Sequence, residues 1–123
     1  MKLRAETQAA VAAARSAGWV LDRWFGRVGP VRLKSARDPV TRADGEAERT
    51  IRRLLHRRFP AIGFLGEEGG AVAKGPDGRW IVDPLDGTIA FVAGLPTFGV
   101  SIALERRGRL EVGVMLFPRL REL

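Results

Sequence analysis

Apolar residues recur at helical spacing through the first half of the chain and at strand spacing through the second. Over residues 3–25, Ala10, Ala13, Ala14, Ala17, Leu21 and Trp24 share one face, with Gln8, Arg15, Asp22 and Arg23 elsewhere on the cylinder. This spacing predicts a helix, ended by Gly26 and Gly29-Pro30, whose alanines let a neighbour approach closely. Residues 31–41 show no regular period and read as an extended loop or short hairpin. A second helix is expected from about Arg42 to Phe59, with Ala47, Ile51, Leu54, Leu55 and Phe59 as its buried stripe. Thr41-x-x-Asp44 at its start resembles an N-terminal capping arrangement. Glu48 and Arg52 are spaced for an ion pair along the helix surface. Arg52, Arg53, Arg57 and Arg58 form the solvated face and complement the negative C-terminal end, with His56 exposed among them.

Pro60 ends this pattern and the period shortens. Ile62 to Leu65 is a short apolar strand broken by Gly66 and followed by Glu67-Glu68. Glycines and Pro76-Asp77-Gly78 make a turn-rich connection. Trp80 to Val82 reads as a buried strand ending in Asp83, and Pro84, having no N–H to donate, is expected to stop it. Gly87-Thr88 begins a helical turn, with a short helix over Ile89 to Val92 closed by Gly94 and Pro96. Phe98 to Glu105 and Leu110 to Phe117 form a hairpin around Arg106-Arg107-Gly108. The fold class is therefore mixed α/β, of the layered α+β kind: two helices, then a mostly antiparallel sheet.

Composition narrows the setting. At 123 residues the chain is large enough for one domain with a core. With no Cys, a disulfide framework and a thiolate metal site are both excluded, and a reducing cytoplasm is the natural compartment. The longest early apolar run, Ala9 to Ala14, is too short to span a membrane and lacks the flanks of a signal peptide. The net charge of +7 is almost all arginine, scattered from Arg4 to Arg121 with no accompanying aromatic ladder, so no nucleic-acid partner is expected.

Two apolar strands end in carboxylates, Leu65-Gly66-Glu67-Glu68 and Val82-Asp83-Pro84-Leu85-Asp86. If they are parallel neighbours, Glu67, Asp83 and Asp86 meet at one edge. Crowded carboxylates raise one another's pKa, and a hard divalent cation such as Mg2+, which takes oxygen ligands, relieves the repulsion. N–H groups at the start of the turn beginning at Gly87 suit a phosphate. Separate solvated turn acids are the competing reading, just as capping alone explains Asp44.

Asp38-Pro39-Val40-Thr41-Arg42-Ala43-Asp44, then Gly66-Glu67-Glu68, then Trp80-Ile81-Val82-Asp83-Pro84-Leu85-Asp86-Gly87-Thr88 resemble, in order and spacing, the inositol monophosphatase family. That family comprises Mg2+-dependent, Li+-sensitive phosphatases of inositol phosphates, histidinol phosphate and related monoesters. The resemblance implies the N-terminal portion of an alternating α-β-α-β-α sandwich. It implies Glu67 as a metal ligand that helps position the attacking water. Asp83, the Leu85 carbonyl and Asp86 become the remaining metal ligands, with Asp83 shared between two ions. Thr88 backed by Asp44 becomes the pair that orients and deprotonates the water. The N–H groups of Gly87 and Thr88 would hold phosphate oxygens, Lys34 would be the basic residue near the site, and Glu68 would support it. A small phosphorylated substrate, Mg2+ as cofactor and a second copy of the chain as partner follow from the same resemblance, as does a cytoplasmic location. Two metals about 3.5–4 Å apart meet the needs of monoester hydrolysis without a covalent intermediate.

The sequence departs from the family twice. Ile89-Ala90-Phe91 stands where Thr-Asn-Phe is common, which is closer to a histidinol-phosphatase-like branch and leaves the monoester open. Family members are also longer, and their C-terminal half supplies a W-D motif whose Asp completes the second metal site. The expectation is thus residues 1–123 as the N-terminal part of such a domain, hydrolysing a small phosphate monoester. The alternative is a truncated, inactive remnant that keeps the metal- and phosphate-binding turn.

Overall fold

A computed structural model describes residues 4–27, 39–66 and 76–123, the side chains of 39–41 excepted. The first helix, α1 (Ala5–Trp24), buries the expected alanine face together with Val20 and Leu21. The second, α2 (Pro39–Arg58), begins a turn earlier than the sequence pattern indicates. Proline is compatible with a first helical turn because its missing N–H would have no intrahelical acceptor there. Residues 39–41 are therefore helical rather than an extended loop, and Thr41 lies inside the helix, which overturns the capping arrangement for Thr41 and Asp44.

Four strands follow: β1 (Gly63–Leu65), β2 (Arg79–Asp86), β3 (Gly99–Arg106) and β4 (Arg109–Leu116). A one-and-a-half-turn helix, α3 (Thr88–Ala93), lies between β2 and β3. The sheet order is β1-β2-β3-β4, with β1 parallel to β2 and the remaining pairs antiparallel. The β3–β4 turn places Arg107 and Gly108 both at positive φ (52° and 74°), the geometry that matches the right-handed twist of a hairpin. Beyond β4 the chain doubles back in a tight turn, pairing Phe117 with Glu122.

One sheet face is apolar and continuous: Trp80, Leu104 and Val112 align across three strands, as do Val82, Ile102 and Val114. The helices cover this face. Gly18 of α1 lies within van der Waals reach of Leu116 and Pro118, and Phe59, just past α2, meets Trp80 edge-on at 6.2 Å. On the opposite face Ile81, Ala103 and Met115 are only half-buried, and Gly113 is exposed. No described helix is long and apolar enough to cross a membrane.

Glu48 departs from its expected place. It is turned inward at 4% exposure instead of pairing on the surface with Arg52, whose guanidinium lies 4.7 Å from the Phe64 ring centre. Spacing accounts for this: 44, 48, 51 and 55 fall on one helical stripe, so Asp44 and Glu48 share the buried face with Ile51 and Leu55.

Candidate active site at the end of the second strand

The sequence Asp83-Pro84-Leu85-Asp86 does not end β2, contrary to expectation, but bends it. The register with β3 slips between Asp83 and Asp86, so one extra residue forms a bulge in which Pro84 has no ladder bond to make. Pro84 and Leu85 turn into the core, while Asp86 is left in solvent. The Leu85 N–H donates to Asp83 Oδ1 at 3.3 Å, closing a small loop that fixes the Asp83 carboxylate over the bend.

Gly87 then takes a left-handed conformation (φ 88°, ψ 45°) as the residue before α3. A side chain there would meet the Thr97 carbonyl at 3.1 Å and Phe98 Cα at 3.2 Å, so both backbone angle and space call for glycine. The Gly87 carbonyl accepts from the Phe91 N–H at 3.0 Å, and Gly94, also left-handed, closes the helix as expected. Phe91 anchors α3. Its ring stands edge-on to Phe98 at 4.9 Å and to Phe25 at 5.9 Å, tying the bend to β3 and the end of α1.

Burial and a neighbouring acid set the electrostatics of the bend. Burial pushes the Asp83 carboxyl above its usual range, the Leu85 N–H acts the other way, and the neighbouring charge of Asp86 pushes it up again. No ion pair among the described residues offsets either carboxylate. The donor set (two carboxylates and the Leu85 carbonyl) fits a hard divalent cation. Among the described residues, no three acidic or histidine side chains converge to hold a metal. Glu67, Glu68 and Lys34 lie outside the described residues, so the set expected from the sequence is represented here by Asp83, Leu85, Asp86, Gly87 and Thr88 on one bend.

Asp44, 8% exposed, belongs to α2, the helix packed on β2. Glu48, one turn further along, was missed by reading the sequence for turn acids. Its carboxylate lies directly against Gly66: a Cβ on Gly66 would sit 2.6 Å from Glu48 Cδ and 2.9 Å from Phe64 Cε1. The buried stripe on which it falls is the signal that identifies it. His56 is exposed, as expected.

The parallel pairing of β1 and β2 runs Gly63 with Arg79 through Leu65 with Ile81, so the two strands are neighbours running the same way, with β2 continuing to Asp86 after β1 has ended. Comparison with known proteins places the arrangement. The family model described as the inositol monophosphatase family matches residues 2–123. An inositol-1-monophosphatase of Rhizobium meliloti is 50% identical over 117 residues, covering 92% of this chain and 44% of that protein. A histidinol-phosphatase of Chlorobaculum parvum is 43% identical over 120 residues, covering 96% of this chain and 46% of its own length. The crystal structure of the extragenic suppressor protein suhB from Bartonella henselae superposes with a TM-score of 0.82 at 38% identity, over 98% of this chain and 46% of that one. The chain thus spans less than half the length of the relatives it matches.

Proposed function

The chain belongs to the inositol monophosphatase family, and from that membership we propose that it carries the strand-end portion of a Mg2+-dependent site hydrolysing a small phosphate monoester. The monoester is of the inositol monophosphate or histidinol phosphate type, two of the activities named for its relatives. The observation that carries the reading is the bend at Asp83. It holds a half-buried carboxylate crowded by a second one, with no described side-chain cation nearby, next to a glycine that exposes backbone N–H groups.

In this reading Asp83, the Leu85 carbonyl and Asp86 hold the metal. Glu67 joins them, standing two residues past Leu65 as Asp83 stands two past Ile81, its register partner. Bound Mg2+ supplies neutralisation of the phosphate dianion and a lowered pKa for the attacking water. Thr88 orients that water through its hydroxyl, and Asp44 receives the proton relayed from it. The N–H groups of Gly87 and Thr88 hold phosphate oxygens. Because α3 has only six residues, this grip comes from local N–H groups and not from a long aligned dipole. Lys34 adds positive charge beside the phosphate. The half-buried setting of Asp83 and the buried Leu85 keep water from competing for the ligand atoms.

The test has two parts. Calorimetric titration with Mg2+ should show binding that Asp83→Asn abolishes, whether or not the chain turns over substrate. Phosphate release from inositol 1-phosphate or histidinol phosphate should require Mg2+, be lost in Asp83→Asn and be suppressed by Li+. Wild-type protein that binds no divalent cation, or hydrolysis indifferent to both chelator and Asp83→Asn, would overturn the assignment.

A further inference from the structure

We propose that Glu48 is a positioning residue for the metal site: from the buried side of α2 its carboxylate seats the backbone where the chain leaves β1 at Gly66, and so fixes the direction in which it enters Glu67. The inference deepens the proposed function and rests on Glu67 being a ligand there. Glu48 is 4% exposed, on the stripe that also buries Asp44, Ile51 and Leu55. Taking an ionised carboxylate out of water is costly, and a leucine would fill the same stripe without that cost. Packing alone therefore gives no reason for an acid at this position.

What the carboxylate faces supplies the reason. A Cβ on Gly66 would stand 2.6 Å from Glu48 Cδ and 2.9 Å from Phe64 Cε1, and closer still to Glu48 Oε1. Gly66 is not among the glycines at positive φ, so its conformation does not call for glycine. Space does: the carboxyl group of Glu48 occupies the volume that a side chain at 66 would take. The two residues thus fit one against the other across α2 and the end of β1. The same helix holds the strand a second time one turn further on, where the Arg52 guanidinium lies 4.7 Å from the Phe64 ring centre.

β1 needs such support. It is three residues long, stands at the edge of the sheet, and keeps register with β2 only as far as Leu65 and Ile81. From Gly66 onward that pairing no longer fixes the chain. An ionised carboxylate offers acceptors only, which is what N–H groups leaving a strand require. Glu67 is the next residue in sequence, and a metal ligand has to stand within about 0.2 Å of its proper distance, so a shift at Gly66 carries directly into the site. Among the described residues no three acidic or histidine side chains converge, so Glu48 does not join Asp83 and Asp86 in one set and acts instead through the backbone beside it.

Two measurements on the full chain test this: Mg2+ affinity by calorimetry, and amide exchange at Gly66 and Glu67 in the metal-free protein. Glu48→Ala should weaken Mg2+ binding about ten- to a hundredfold, the usual result of removing the support of a ligand, and speed exchange at both amides about tenfold. Glu48→Gln keeps the shape and one acceptor oxygen, and should restore most of both. Gly66→Ala leaves Glu48 intact but pushes it off its seat, and should lose Mg2+ affinity to the same extent. Gly113→Ala, with open space around its Cβ, should change neither reading. Urea midpoints taken alongside separate loss of fold from loss of position. The proposal is overturned if Glu48→Ala and Gly66→Ala lower the midpoint yet bind Mg2+ as the wild type does, or if exchange at Gly66 and Glu67 is unmoved in Glu48→Ala. Wild-type protein that binds no Mg2+ overturns the site itself and this inference with it, whereas wild type and variants that bind equally well overturn the inference alone.

Discussion

At Asp83 burial and a backbone hydrogen bond act on one proton in opposite directions, and burial wins. A carboxyl with a raised folded-state pKa holds its proton more tightly folded than unfolded, so the metal-free protein is least stable while Asp83 is charged. Stability should therefore rise as pH falls through that raised value toward the ordinary Asp value of about 4. Urea midpoints measured across mildly acidic pH should show the gain in the wild type and not in Asp83→Asn, and saturating Mg2+ should remove it. Gly87 offers a second check at this scale. Gly87→Ala places a Cβ at a φ of 88° against the Thr97 carbonyl, and should cost about 1–2 kcal/mol, read as a lower urea midpoint.

Between elements, Arg106 is the main polar tie. Its guanidinium reaches Glu6 of α1 at 2.8 Å, Asp77 at 2.8 Å and Glu111 of β4 at 3.2 Å, and its Nε donates to the Asp77 carbonyl at 3.1 Å. This junction, half-buried at Arg106 and Glu6 and exposed at Asp77 and Glu111, fixes the start of α1 to the turn end of the β3–β4 hairpin. Arg106→Ala should cost about 2 kcal/mol by denaturant titration, since several charge-assisted bonds are lost together. The hydrogen bond from Arg106 holds the Glu6 carboxyl below its ordinary value of 4.5. The stability it contributes is complete above that value and is lost as pH falls through the depressed one. Acid should thus act in two windows of opposite sign, a gain from Asp83 and then, below about pH 4.5, a loss from Glu6 that Glu6→Gln removes. How much of this was legible varies by element. The hairpin turn at Arg107-Gly108, the cap at Gly94 and both helix stripes follow from spacing and glycine chemistry. Three features did not follow, because each proline or acid has two tolerated settings that local sequence cannot separate. Pro39, expected in a loop, opens a helix; Pro84, expected to stop a strand, sits in a bulge. Glu48, expected on the surface, lies under Gly66, because the burial of a carboxylate is decided by what packs above it.

Across the whole molecule, the sheet ends in a strand whose outer edge is only partly covered. The Phe117–Glu122 turn covers the far end of β4, while Leu110, 70% exposed, stands near its start. Unprotected strand edges pair with other chains. Size-exclusion chromatography with light scattering should show mass rising with concentration, and Leu110→Lys should reduce that rise. The sheet joins one parallel pair, β1–β2, to two antiparallel ones, and there lies a temporal consequence. The β3–β4 pair closes over the tight turn at Arg107-Gly108, whereas β2 reaches β3 only across residues 87–98 and β1 reaches β2 only across residues 66–78, excursions of similar length. Closure of the longer loops after the hairpin is the expected order of events. Pulse-labelled amide exchange should accordingly find protons of β3 and β4 guarded before those of β1. A folding chain would then own its β3–β4 hairpin before either connection that flanks the Asp83 bend has closed, and the bend would be among the last parts of the sheet to mature.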